Sequence, residues 1–450
     1  MEGIMMRRKY SVCLILFTLL AVSAGGCGRK ENNMSQQNQT ERTTQTEKPD
    51  EVEKPANSAS PTMSKKRIKG VAVIDETGKK RKLRLGDLDE TDAGIGVCSS
   101  DFITASQISD GHYYYLHVGG GGKYTIYQDK RVVVGHFFIK EGDVVGFAKA
   151  GEDFLANIMH VEEHPVTFDV ENITYDIVRI NLETESVEVL LKNCADFGNV
   201  GDERINVDDI MFYRGSMYYD SREDVQWEAG GEYEPGAFLI SRNLDNIEQQ
   251  NKMTCTEQMN EAKPYLTFVD GKILYGKQKG KEVSLYMFDL ETREQTDLIR
   301  YKRKKAYVRY STSSYDSVLL SVDNDYIYCQ DMAIPRKGGK MQPLLKNALR
   351  NLNGGEIIFS SNKKYIFYLD KKYKLHRIDK KTGQDIRIGD KKLMSVQCME
   401  DRIYVKELRH GYWDEQPEKR QDVLYCMSLD GTVKWKHTLE RDKEAEMDWD

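Results

Sequence analysis

From about residue 69 onward, apolar and polar residues alternate with a period of two, in short runs separated by Asp, Asn, Gly and Lys. Such alternation predicts half-buried strands joined by tight turns, because successive strand side chains point to opposite faces. Almost no stretch sustains a helical spacing. One unit recurs: a short strand, a turn, an aromatic strand, a third strand ending near Asp, a polar turn and a fourth strand. In its clearest copy, Leu266-Thr267-Phe268-Val269 is followed by the turn Asp270-Gly271-Lys272 and by Ile273-Leu274-Tyr275. Residues 284–290 form the third strand, Glu291-Thr292-Arg293-Glu294 the turn and 295–300 the fourth strand. A second copy spans 357–388, and looser copies carry His112-Tyr113-Tyr114-Tyr115-Leu116, Asp143-Val144-Val145-Gly146-Phe147, Ser216-Met217-Tyr218-Tyr219, Tyr326-Ile327-Tyr328 and Arg402-Ile403-Tyr404-Val405 as second strands.

The copies lie about 30–75 residues apart, a spacing that suits four-stranded propeller blades. A lone blade cannot bury both of its faces, whereas a ring of blades buries them all. The expected fold is therefore all-β, a β-propeller of four-stranded blades over residues 67–441. Seven blades are favoured, and six or eight fit the same spacing. Strands at 71–74 and 81–85 are expected to close the ring as an extra pair. The phrasing at 365–383, Tyr-Ile-Phe-Tyr-Leu followed by Leu-His-Arg-Ile-Asp and Thr-Gly, resembles bacterial lipoproteins carrying a propeller of the low-density-lipoprotein-receptor-related kind, a domain of unknown function. The stretch Ser428-Leu429-Asp430-Gly431-Thr432-Val433-Lys434-Trp435 also resembles a quinoprotein-type repeat, which implies that Trp435 packs between blades.

The N-terminus has a different texture. Arg7-Arg8-Lys9 precedes an apolar run at 12–22 and then Ser23-Ala24-Gly25-Gly26-Cys27. A positive flank, a short apolar segment and small residues make a secretory signal, and the apolar run is too short to span a bilayer. Ala24-Gly25-Gly26-Cys27 resembles the bacterial lipobox. The resemblance implies a signal peptide at 1–26, cleavage before Cys27 and lipid on its sulfur. Residues 27–66 then read as a polar tether reaching about 35 Å, and 442–450 as an acidic tail. The expected location is the extracytoplasmic face of a bacterial membrane.

Composition narrows the function classes. With 66 basic and 72 acidic residues the net charge is −6, and no basic block suggests a nucleic-acid partner. The six cysteines beyond Cys27 are scattered without metal-ligand spacing and read as buried single thiols. His160-Val161-Glu162-Glu163-His164 matches an inverted zinc motif, which needs both histidines one helical turn apart. A helix over 152–163 would allow it, but no third ligand is recognisable and Pro165 follows at once. His160 and His164 stay weak metal candidates, and no cofactor is expected. Gly119-Gly120-Gly121-Gly122-Lys123 lacks the flanking residues of a phosphate loop, and Asp323-Asn324-Asp325 reads as a hairpin turn rather than a calcium loop. Lys302-Arg303-Lys304-Lys305 reads as a solvated loop.

Long insertions at 149–172, 221–236, 331–343 and 407–421 are expected between second and third strands, on one face of the ring. Trp227, Tyr233, Tyr412 and Trp413 would supply aromatic ligand contacts there. The protein is thus expected to be a lipid-anchored monomer that binds or scaffolds an envelope protein or glycan. The alternatives are a surface hydrolase or lyase acting on glycans or peptides, and a sensory or accessory subunit of an envelope complex; no catalytic residue can be chosen. Changing Cys27→Ser is expected to release the protein to the soluble fraction or leave its precursor uncleaved, read by fractionation and gel migration. A variant that fractionates and migrates like the parent would exclude the lipobox.

Overall fold

A computed structural model describes residues 70–439 except 86–87, 89–103, 119–122, 140–141, 164–169, 196–202, 205–209, 222–237, 257, 260–265, 306–317, 351–356 and 408–421. Seven sheets follow one another along the chain, each built from consecutive strands, with an N-terminal hairpin sheet beside them. We number them as blades 1 (106–135), 2 (143–204), 3 (211–254), 4 (267–302), 5 (320–335), 6 (359–387) and 7 (393–439). Blades 1, 3, 4, 6 and 7 have four strands, as expected. Blade 2 adds a fifth, Glu203–Arg204, running parallel to Ser186–Ala195, and blade 5 has only three.

Burial is deepest in the inner strands of blades 5 and 6 and lowest in outer strands of blades 3 and 6. Leu320–Val322 and Phe359–Ser361 are buried along their whole length, while the fourth strands Gln250–Thr254 and Asp385–Arg387 are largely exposed. A strand covered on both faces buries even its small polar residues, here Ser360 and Ser361 with hydrogen-bond partners, whereas an outer strand needs no buried face. The polar turns also have a shared cause. Where third strands meet fourth strands, Asn181, Asn243, Asp289 and Asp379 each turn a side-chain oxygen onto the backbone amide three residues on. These Asx turns explain why the third strand of the repeat ends near Asp.

The apolar residues sort into seven cores, one for each pair of neighbouring blades. Tyr114, Phe147 and Phe154 join blades 1 and 2; Leu155, Met217 and Ile240 join 2 and 3; Leu239, Phe268 and Tyr275 join 3 and 4. Leu285 and Leu320 join 4 and 5; Tyr328 and Phe359 join 5 and 6; Phe367 and Val396 join 6 and 7. The seventh core brings Tyr404 and Leu424 of blade 7 against Tyr113 and Tyr115 of blade 1. The sequence of blades therefore closes on itself, and the fold is a seven-bladed β-propeller. First strands of successive blades meet on the inside, as where Cys398 N donates to Ser360 Oγ at 3.0 Å and Gln397 Nε2 to Ser106 Oγ at 3.0 Å.

The N-terminal hairpin does not close the ring. Val71–Ile74 pairs with Lys80–Leu83, then in parallel with Gly339–Lys340. Val73 and Leu83 enter the core of blades 4 and 5, and Arg84 N donates to Leu298 O at 2.9 Å. The chain leaving the short blade 5 reaches the hairpin through Gly338 at φ 90°, where a Cβ would lie 2.9 Å from Ala72 O. The hairpin is held by Asp75, whose Oδ1 accepts from Thr77 N and Lys79 N while Oδ2 accepts from Arg81 Nε at 2.8 Å. The run 302–305 is also not fully solvated. Arg303 is buried, donating to Asp331 at 2.6 Å and to Gln330 at 3.0 Å. Cys194, Cys255, Cys329, Cys398 and Cys426 are buried free thiols, and Cys98 lies outside the described residues.

The turn Asp323-Asn324-Asp325 is the expected hairpin turn, but it holds a buried charge. Asp323 Oδ2 accepts from Tyr328 Oη, Ser361 Oγ and Lys380 Nζ, each at 2.7 Å, which ties blade 5 to blade 6. Burial alone would raise its pKa; the Lys380 ammonium and these hydrogen bonds outweigh it and hold the carboxyl below its usual range. Removing one partner of such a pair leaves an uncompensated charge. Lys380→Met is expected to destabilise the ring by about 3–5 kcal/mol in denaturant unfolding. Adding Asp323→Asn should recover a substantial part. A Lys380→Met loss under about 1 kcal/mol would show that the pair is dispensable.

Candidate functional site

Strand direction alternates within each blade, so connections between second and third strands leave on the same face as the links between blades. Two of the expected insertions belong to this class. Residues 222–237 join Ser216–Ser221 to Phe238–Asn243 in blade 3, and 408–421 join Arg402–Glu407 to Asp422–Ser428 in blade 7. Trp227, Tyr233, Tyr412 and Trp413 fall in these segments, outside the described residues, as does Cys27. The other two insertions are corrected. Asp143–Ala150, expected to hold a second strand, is the first strand of blade 2, so most of 149–172 lies in the second and third strands Asp153–Glu163 and Val170–Asn181, and 331–343 contains the third strand of blade 5, Met332–Pro335.

The strand Asp153–Glu163 also excludes the helix over 152–163 that the zinc motif would need. Phe154, Ala156 and Ile158 face the core with blade 1 while Leu155 faces blade 3, so the run is a strand buried on both sides. His160 pairs across to Thr174, with Nε2 3.2 Å from Asp176 Oδ2. Burial raises the pKa of the nearby Asp143, and His160 works against that rise. His164 lies outside the described residues, and among those described no group of three or more His, Cys, Asp or Glu side chains could hold a metal ion.

On the loop-bearing face, blade 6 carries a linked set that sequence reading passed over. His376 Nδ1 lies 3.0 Å from Asp385 Oδ1, and its Nε2 lies 3.4 Å from Asp370 Oδ2. Tyr368 donates to Asp385 Oδ2 at 2.6 Å and stacks on the imidazole, with ring centroids 5.0 Å apart. At the root of 408–421, Tyr425 donates to Glu407 at 2.6 Å, and Lys391 Nζ sits 4.8 Å from the Tyr425 ring. These side chains brace turns and loop ends. Asp370 was hidden because it reads locally as an ordinary turn residue, and Asp385 because it opens a short, polar fourth strand.

The second polar constellation lies at the seam of blades 7 and 1. Tyr113 stacks on Tyr404 with centroids 4.6 Å apart, and Tyr115 stacks on Tyr127 at 5.1 Å. Asp129 accepts from the Tyr404 hydroxyl at 2.8 Å and faces His112 Nδ1 at 2.8 Å. The Tyr115 hydroxyl lies 2.5 Å from His437 Nδ1. Lys130 Nζ stands 5.7 Å from the ring of Trp435, which meets Tyr404 edge-on at 5.9 Å, so Trp435 packs between blades as expected. The aromatic second strand of blade 1 was a visible signal for this cluster; Asp129 and His437 gave none.

No protein-family model matches this chain, and no curated protein matches it. Among solved structures it is similar to BamB from Moraxella catarrhalis, at 9% identity over 78% of this chain and 92% of that chain, with a TM-score of 0.35. It is also similar to the β-propeller domain of the trilobed protease from Pyrococcus furiosus, at 12% identity over 68% of this chain and 99% of that domain, with a TM-score of 0.32. The likeness to TolB from Acinetobacter baumannii is 12% identity over 71% of this chain and 60% of that chain, with a TM-score of 0.30. The propeller assignment rests on the sheets and cores described above.

The seam has a pH signature. Burial, with Lys130 and His117 adding their charges, lowers the pKa of His437 below its ordinary 6.5. The unfolded chain therefore takes up this proton first as pH falls, so stability is lost below about pH 6.5 and retained above it. His437→Phe is expected to flatten the stability slope between about pH 7.5 and 5.5 relative to the parent. Identical slopes for the two proteins would remove His437 from the account.

Proposed function

We propose that the protein is a binding or scaffold module, anchored by lipid on Cys27 to the extracytoplasmic face of a bacterial membrane. The observation that carries this reading is the placement of two long connections, 222–237 and 408–421, on one face of a closed, rigid ring. Other connections of this class are short, as at Gly280-Lys281 in blade 4 and Gln330-Asp331 in blade 5. Loops on a rigid scaffold are where recognition is usually built. The ligand is an envelope protein or glycan, met by Trp227, Tyr233, Tyr412 and Trp413, whose rings suit both sugar stacking and protein hot spots. The polar contacts at the loop root, Tyr425 with Glu407 and Lys391 over the Tyr425 ring, support a fixed base from which 408–421 departs.

The test is a glycan-array and envelope pull-down screen with the fragment 64–450, followed by affinity measurement. Trp227→Ala with Trp413→Ala is expected to weaken binding to the recovered partner by about thirtyfold or more, with thermal stability little changed. Unchanged affinity in the double variant would overturn the assignment of this face.

A further inference from the structure

In a chain of net charge −6, residues 357–392 hold nine lysines and two arginines against four aspartates, a net charge of +7. The structure gathers much of this charge on one face. On the loop-bearing face, three segments are stitched together by backbone contacts. Leu393 N donates to Tyr373 O at 2.9 Å, Leu349 N donates to Leu369 O at 2.5 Å, and Ala348 bridges Asp370. Lys346, Lys371, Lys372 and Lys392 on these segments are exposed and have no carboxylate partner among the described residues. The carboxylates nearby are engaged: Asp370 by the amides of Lys372 and Lys374, Asp390 by Arg387, and Glu407 by Tyr425. Met394 is 41% exposed beside the last lysines.

The opposite face of blade 6 is different. There Lys380 is buried against Asp323 and Asp325, and Lys363 and Lys364 share the surface with Glu400 and Asp401 of the next blade. The basic excess is thus one-sided.

We propose that the surface formed by Lys346, Lys371, Lys372 and Lys392 docks on a bilayer bearing anionic phospholipids. Unpaired lysines beside an exposed apolar side chain are the chemistry that such a surface attracts. The choice of a bilayer over a soluble polyanion rests on the lipid-anchor reading above, because a tether reaching about 35 Å keeps the ring at high effective concentration near the headgroups. The surface would then set which way the ring faces, with the tether supplying only proximity.

The experiment uses the non-lipidated fragment 64–450, which contains all seven interblade cores. It is sedimented with vesicles of phosphatidylglycerol and phosphatidylcholine in equal parts, and with phosphatidylcholine alone. Binding to the anionic vesicles is expected to be at least about tenfold stronger and to fall as salt rises. Combining Lys346→Glu, Lys371→Glu, Lys372→Glu and Lys392→Glu should abolish it, and the matching Lys→Gln set should weaken it if the Glu set folds poorly. Lys363→Glu with Lys364→Glu and Lys381→Glu, on the other face, should leave it unchanged. Equal binding to both vesicles, a fourfold variant that binds like the parent, or capture of soluble polyphosphate without vesicle binding would each overturn the proposal. Fractionation of Cys27→Ser tests the anchor separately, so a failed anchor and a failed surface give different results.

Discussion

The ring depends on one contact between distant parts of the chain. Six of the seven interblade cores join blades that are neighbours in sequence, the one between blades 4 and 5 also taking in the N-terminal hairpin. The seventh must bring Tyr404 to Tyr113, and among the described residues no strand is exchanged to do it. Blade 1 is built wholly from 106–135 and blade 7 wholly from 393–439. Closure therefore falls to side chains, which explains the stacking of Tyr113 on Tyr404, the edge-on contacts of Tyr115 and Tyr127 with His437, and the carboxylate of Asp129 that accepts from Tyr404. Aromatic pairs add about 0.5–1.5 kcal/mol each beyond their burial. Loop-closure entropy grows only slowly with length, so closing a long chain costs little more than closing a short one.

Much of this architecture was legible because a propeller repeats one solution. The strands near 266–300 and 357–388 fall where alternation put them, and the Asp at the end of the third strand proves to be the acceptor that closes the next turn. The failures share a cause: local pattern cannot say which faces are covered. Phe154, Leu155, Ile158 and Met159 fit a helix as well as a strand, because a strand buried on both sides loses its alternation. Arg303 looked solvated within a basic run, yet Lys302 and Lys304 point out while it points in. The hairpin at 71–83 gave no sign of its docking site, since the partner Gly339–Lys340 lies far along the chain.

The candidate site was legible only as a class of connection. That 222–237 and 408–421 leave from the same kind of strand end follows from the repeat register. The bracing by His376, Asp370 and Asp385 does not, because it depends on which side chains of two strands and a turn meet across a blade. The buried cysteines show a related point. Burial pushes Cys329 up to about 11 and Cys398 up to about 12, so neither offers the thiolate that oxidation and exchange require. The five described cysteines form no disulfide, so the blades are joined by the interblade cores and by buried polar ties such as Asp323 with Lys380 rather than by covalent bridges.

The two faces of the ring divide the labour. On one, first-to-second and third-to-fourth turns are short and closed by their own side chains. Asn362 accepts from Lys364 N and Tyr365 N while its amide donates to Met399 O of the next blade at 2.8 Å, and Asp323 does similar work toward Ser361 and Lys380. Residues on this face are spent on turn geometry and on joining blades, so they are poorly placed to vary. On the other face, connections need only bridge strand ends and lead to the next blade, and length can change there without disturbing a core. That asymmetry follows from the backbone before any ligand is considered: a meandering blade fixes one face through its turns and leaves the other free to be lengthened, charged or lined with rings.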